Sequence, residues 1–231
     1  MELINKLIRF KKAIRWIIAS TPLRSQFGYC AKNVTLYYPL RVYSPQNLFI
    51  YENSRLMQDI CIINTPKEKV IIKKYTAIAA RTTFVTNNHI STVTIPHFLL
   101  APAHINDKSN DIIVEEDCWV GTGATLLAGA HLGRGCIIGA GSIVSKEIPP
   151  YAVAVGCPAK IIAVKFSVSQ ILEHEKALYS EEERFSKEYL EDLFETYYKD
   201  KKVYGKSIEI DDKIQQKLDL LKENLHYVEP Y

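Results

Sequence analysis

Residues 114–144 read VEEDCWVGTGATLLAGAHLGRGCIIGAGSIV, and the period of this stretch decides the fold. Val114, Val120, Leu126, Leu132, Ile138 and Val144 each lie six residues after the last. Two further series keep phase with them. Gly123, Gly129, Gly135 and Gly141 fall three positions after a bulky residue, and Cys118, Ala124, Ala130, Cys136 and Ser142 fall two positions before one. Strands repeat every two residues and helices every 3.6, so a strict six is neither. It is the hexapeptide repeat of a parallel β-helix, in which three six-residue flats make one coil. The bulky position fills a narrow prism, the small one sits inward near a corner, and glycine takes turn angles that a Cβ penalises. Coils stack at about 4.8 Å, so residues eighteen apart lie one above another, as Cys118 and Cys136 should.

The same period continues upstream. Ile50, Leu56 and Ile62 keep it, as do Ile72, Ile78 and Phe84, with a corner insertion around Pro66 between the two groups. The stretch from Ser91 to Asp111 has no such phasing and contains Pro96 and Pro102, so it reads as a loop leaving the solenoid and returning. Val34 and Leu40 suggest an earlier, degraded turn, giving four clear coils and a weaker fifth. Three sections follow: an N-terminal amphipathic helix within 1–24, a β-helix over 25–166 with a loop at 90–111, and a helical extension over 167–231.

Charge is uneven along the 231 residues, whose formal net charge is +3. Residues 1–24 carry a local +5 and residues 167–231 a local −6. No dense basic stripe marks a nucleic-acid binder. Five cysteines without a CxxC pair or a secretory signal point to a reducing compartment, and hence to the cytoplasm. No apolar run reaches the eighteen or so residues that span a bilayer. In residues 2–19, Leu3, Leu7, Phe10, Ile14 and Ile17 keep helical spacing among Lys6, Arg9, Lys11, Lys12 and Arg15, before Thr21-Pro22 ends the helix. A solenoid needs its open end covered, so this helix is expected as a cap. The other reading is peripheral membrane contact. Ser167-x-x-Gln170 and Ser180-x-x-Glu183 look like capping boxes opening successive helices, and a third helix is expected from Asp211 to about Leu225.

A β-helix alone is a scaffold, so chemistry must come from side chains placed on it. His89 follows the inward Phe84 by five residues, near a corner and immediately before the long loop. An exposed corner histidine there can act as a general base. His97 and His104, inside the loop, are weaker candidates. His131 should point outward, and His174 and His226 should be surface residues of the tail.

At Asp117-Cys-Trp-Val-Gly-Thr-Gly-Ala, Ile138-Gly-Ala-Gly-Ser-Ile-Val-Ser-Lys-Glu-Ile-Pro-Pro and Val155-Gly-Cys-Pro-Ala-Lys the chain resembles the hexapeptide acyltransferases. The nearest branch is the galactoside and maltose O-acetyltransferases, with related capsular and lipopolysaccharide sugar acetyltransferases. The resemblance covers residues 112–165 and, less closely, 72–89. It implies an all-β solenoid, a left-handed parallel β-helix, assembled as a homotrimer with sites between subunits. It places the catalytic base on His89 and the acetyl-CoA contacts on Trp119, Thr122, Ala140, Ser145 and Lys160. No metal is required. A second basic phosphate contact is replaced by Ala163, which Lys165 or a neighbouring chain would have to supply. Acceptor contacts fall near Met57 and Asp59, which depart from the galactoside enzymes' pattern.

The expected activity is direct acetyl transfer to a sugar hydroxyl, with an oxyanion donor among the backbone N–H groups of Gly121 to Gly123. Modification of chloramphenicol or a streptogramin is the alternative within the class, and a noncatalytic assembly module the alternative outside it. A zinc-dependent carbonic anhydrase on this scaffold needs three converging histidines. His89, His97 and His104 do not occupy stacked coil positions, which argues against it.

Overall fold

The bulky positions of the repeat from Ile50 to Val144 point into the prism and are at most 1% exposed. Cys118, Ala124, Ala130, Cys136 and Ser142 are buried beside them. In the first coil Leu36 and Val42 hold that register and are half-buried, while Val34 and Leu40, two residues earlier, are buried. Full burial of an aliphatic side chain contributes roughly 1.5–3 kcal/mol, so this single file of residues is the core. The computed structural model describes residues 2–208 and 210–223.

Three parallel sheets form the faces. The first runs through Tyr29–Cys30, Leu48–Ile50, Val70–Ile72, Ile112–Val114, His131–Leu132 and Glu147–Ile148. The second begins with Thr35–Leu36, Arg55–Leu56, Ala77–Ile78, Trp119–Val120, Ile137–Ile138 and Ala152–Val155. The third holds Leu40–Val42, Ile60–Ile63, Thr83–Val85, Thr125–Leu127 and Ile143–Val144. There are thus five complete coils and two sides of a sixth. The turn expected to be degraded around Val34 and Leu40 is a full coil.

Stacked residues are 18 apart only between the fourth and fifth coils, as in Trp119↔Ile137, and 16 apart into the sixth, as in His131↔Glu147. Upstream the offset is 20 (Leu40↔Ile60), then 22 (Cys61↔Thr83), then 42 (Thr83↔Thr125). All the added length leaves at the corner between the third and first sheets, so the inward register never slips.

Helix α1 (Glu2–Ser20) lies beside the strand Leu40–Val42. The end of the prism is closed by the segment after it. Phe27 is buried in the core, and Arg24 donates to the carbonyls of Ala31, Lys32 and Val34. Helix α2 (His97–Ala103) and an antiparallel ribbon, Asn87–His89 with Asp107–Ser109, order the stretch expected as an irregular loop.

In the tail, α3 (Val168–Leu178) opens with the expected box between Ser167 and Gln170. The Ser180 box opens only a 3₁₀ turn, Glu181–Glu183, and Ser186 instead caps α4 (Lys187–Leu193). Helix α5 (Asp212–Glu223) starts at Asp211, whose carboxylate accepts from the Ile214 N–H. Leu225 and His226 lie outside the described residues. The tail is fastened by Glu175, which is 1% exposed and accepts from Arg134 (3.2 Å), the Tyr151 hydroxyl (2.8 Å) and the Phe185 N–H (2.8 Å). Burial, then the Glu175 charge, push the Tyr151 phenol well above its ordinary range. His174, expected at the surface, is half-buried and bonded to Asp117 at 2.9 Å.

Two glycines separate the effects that hold a corner. Gly123 has φ +69° with open space where a Cβ would stand, so Gly123→Ala should cost about 1 kcal/mol from backbone strain alone. A Cβ on Gly121 would meet the Ala140 nitrogen at 2.6 Å. Gly121→Ala should therefore cost more, about 3 kcal/mol from overpacking. Denaturant midpoints of the two variants check that order.

Candidate active site

The repeat is interrupted in the third coil, after Val85. The chain leaves along Asn87–His89 and returns along Asp107–Ser109, so antiparallel pairing sets His89 opposite Asp107. The His89 Nδ1 lies 2.8 Å from Asp107 Oδ1. The other carboxylate oxygen accepts from Asn87 Nδ2 at 2.9 Å and stands 2.8 Å from His104 Nδ1. Asp107 therefore orients two imidazoles at once. Its carboxyl is held well below the usual carboxylate range by the hydrogen bond from Asn87, then by those from His104 and His89. With Nδ1 donating to Asp107, Nε2 is the ring nitrogen of His89 left to take a proton.

His89, His104 and Asp107 also form the group among the described residues whose ligand atoms could hold a cation, all within 4.8 Å of one another. Both histidines already bond Asp107 directly through Nδ1, so a cation would have to displace both protons. The geometry is that of a base with an orienting carboxylate.

Beside this ribbon is a cleft of about 600 Å³, lined by Thr65, Pro66, Lys67, Glu68, Asn87, His104, Asn106, Asp107 and Ser109. The insertion around Pro66 forms one wall. Glu68 ties it to the returning strand by accepting from Ser109 at 2.6 Å and from Thr65. Asn87 Oδ1 is buried without a protein partner. A buried acceptor of this kind calls for a donor from elsewhere.

Trp119, Thr122, Ala140, Ser145 and Lys160 are all on the outer surface, with Trp119 50% exposed. Thr122 and Ala140 stack one coil apart at the corner between the second and third sheets. Their neighbours' N–H groups are engaged between coils: Gly121 with Ile138, Gly123 with Ala80, Gly139 with Ala154 and Gly141 with Thr122. Of the three expected oxyanion donors, Gly121 and Gly123 are thus committed, and Thr122 remains. Met57 and Asp59 lie at the same corner, Met57 half-buried and Asp59 exposed with φ +62°. His89 and Ser145 lie at the next corner, between the third and first sheets. A single chain therefore does not bring His89 together with Thr122, Ala140, Met57 and Asp59.

Ala163 is buried and paired with Val153 and Lys202. Lys165, the expected substitute for a basic residue there, is engaged with Asp117 at 2.6 Å. Burial would raise the Asp117 carboxyl, but the bond from His174 and the Lys165 charge outweigh it and hold it low. The exposed lysine set beside Ala163 is Lys202, on the short strand Lys202–Val203. Neither Lys202 nor Asp107 was legible beforehand, because each arrives by a non-local pairing that no period announces.

A hexapeptide-repeat β-helix with a histidine–carboxylate pair at its one long excursion defines the class. Residues 111–146 match the family model described as bacterial transferase hexapeptide (six repeats). A putative acetyltransferase of Schizosaccharomyces pombe is 47% identical over 51 residues, 22% of this chain and 25% of the relative. A chloramphenicol acetyltransferase of Morganella morganii is 29% identical over 116 residues, 45% of this chain and 55% of the relative. The chain thus spans about a quarter to about half the length of these curated relatives. A galactoside acetyltransferase solved in complex with coenzyme A superposes with a TM-score of 0.53 and 23% identity, covering 80% of this chain and 90% of the other. The fold is therefore the left-handed β-helix of the hexapeptide-repeat transferases.

Asp107→Asn tests the orienting carboxylate. Because folding lowers the Asp107 carboxyl, the stability it contributes is present above about pH 4, its unfolded value, and is lost as pH falls through the lower folded value. Wild type and variant should differ at neutral pH and converge in acid. Nitrogen NMR should find the His89 ring of the variant divided between both neutral tautomers. Equal stability at pH 7 with a wild-type tautomer would remove Asp107 from the site.

Proposed function

We propose that this chain is an acetyl-CoA-dependent O-acetyltransferase that modifies a sugar hydroxyl by direct transfer. The observation that carries the reading is the His89–Asp107 pair, held at 2.8 Å where the solenoid opens. Acetyl-CoA would lie along the coil surface beside Trp119, with its pantetheine amides meeting the outward groups of Thr122 and Ala140. Ser145, at the His89 corner, would line that groove from the neighbouring subunit. Lys160 would meet the 3′-phosphate through a charge-assisted hydrogen bond, with Lys202 the cation placed beside Ala163.

In the reaction, His89 Nε2 takes the proton of the acceptor hydroxyl, and the oxygen attacks the thioester carbonyl. The tetrahedral oxyanion is met by a backbone N–H, for which Thr122 is the candidate. Collapse breaks the carbon–sulfur bond, and the leaving thiolate takes the proton back from the imidazolium. Asp107 fixes the tautomer throughout and stays ionised. No covalent enzyme intermediate is needed. Cys118 and Cys136 are buried, and burial pushes the Cys118 thiol well above its ordinary value.

His89 and the Thr122–Ala140 corner stand at different edges of one prism. That separation supports a homotrimer in which one subunit supplies the base and its neighbour the cofactor wall. The acceptor would enter by the cleft at Glu68, Asn87 and Asn106, whose polar lining suits a saccharide. Met57 and Asp59 would face it from the adjoining chain. A cytoplasmic setting rests on the cysteine usage alone; among the described residues no helix is long and apolar enough to cross a membrane. Likeness to a chloramphenicol acetyltransferase over 116 residues favours the second reading, a xenobiotic acceptor.

His89→Ala should lower kcat/KM for acetyl transfer by about 10²–10⁴-fold, while CoA still raises the melting temperature. Lys160→Ala should weaken CoA by about tenfold and leave dephospho-CoA, which lacks the 3′-phosphate, unchanged. Thiol release with sugar and chloramphenicol acceptors separates the two readings. If CoA neither protects the protein nor turns over, the chain is an assembly module instead.

A further inference from the structure

We propose that α1 docks this protein on an anionic lipid surface, lying flat among the headgroups with its apolar band inward. Leu7, Phe10, Ile14, Ile17 and Ile18 are 55%, 63%, 39%, 53% and 67% exposed. At about 100° per residue these five fall within an arc of roughly 100°, a coherent apolar face. Lys6 and Lys11 border the two edges of that arc, and Arg9 and Lys12 extend from the opposite side, all four exposed. Residues 2–20 hold five cations against one acid.

A capping helix would bury such a band against the end of the prism. Here that end is already closed by Phe27 and by Arg24 on the carbonyls of Ala31, Lys32 and Val34, while the Tyr38 hydroxyl ties back to Pro22 at 3.2 Å. The solenoid is thus sealed without α1, and the apolar band stays in water. Charge selects the occupant. Pairing with the same helix of a second copy would bring two strongly basic helices together, whereas anionic headgroups meet the cations at both edges of the band. No helix among the described residues is long and apolar enough to cross a bilayer, so the contact is interfacial. This inference is independent of the acetyltransferase reading, and either can fail alone.

The test is co-sedimentation of the full chain with vesicles of phosphatidylcholine, with and without phosphatidylserine. Binding is expected only with the anionic lipid, falling as salt is raised. Lys11→Gln and Lys12→Gln should each weaken partitioning roughly fivefold. Phe10→Ser with Ile14→Ser should abolish it while the β-sheet circular dichroism is kept. The proposal is overturned by equal binding to neutral and anionic vesicles or by binding to neither. It is also overturned if Phe10→Ser with Ile14→Ser changes the oligomeric mass in solution but not vesicle binding, which would assign the band to a second copy.

Discussion

The structure depends on one constraint: side chains that share a prism must keep the same perimeter from coil to coil. A one-residue slip would turn an inward aliphatic row outward. The chain can therefore gain residues only at a corner, and it does so at the edge between the third and first sheets. The insertion around Pro66 and the excursion from Asn87 to Ser109 both leave from that edge. Because they leave from adjacent coils they meet, and Glu68 bonded to Ser109 is the join. The candidate site is thus a consequence of where a β-helix tolerates extra length.

The later coils were legible because glycine marks their corners. Upstream the same left-handed turn position is filled by Asp117, Arg81, Tyr75, Asp59 and Asn53, with φ between 56° and 66°. Asparagine and aspartate adopt that conformation at modest cost, but tyrosine and arginine do so only where surrounding pairing enforces it. The first coil is faint for another reason: Val34 and Leu40 stand two residues before its in-phase positions, Leu36 and Val42, which pair with Leu56 and Ile62. His89 was legible by its place beside the break. Asp107, Asn87 and the cleft were not, since seventeen residues without a period separate the two strands of the ribbon.

The tail shows a similar limit. Ser167 and Gln170 announced a helix start, but the dock beneath it is a buried ionic set of Glu116, Arg134 and Glu175, drawn from three distant segments. Arg134 also lies over the rings of Tyr179 and Phe185, at 4.3 and 4.6 Å. Removing one member of such a set leaves a charge without its partner in a dry site. The tail is therefore anchored to the fourth and fifth coils, beside the Trp119 face. It also delivers Lys202 to the edge of the second sheet.

The central claim is that His89 and the Thr122–Ala140 corner serve one reaction from two chains. Co-expression of His89→Ala subunits with Ala140→Trp subunits, whose bulky side chain at an exposed corner blocks the cofactor wall, tests it most directly. Each variant alone should assemble and be inactive. Mixed oligomers should recover acetyl transfer, because some interfaces then pair an intact His89 with an intact wall. Mixed oligomers that form yet remain inactive would contradict a site shared between chains.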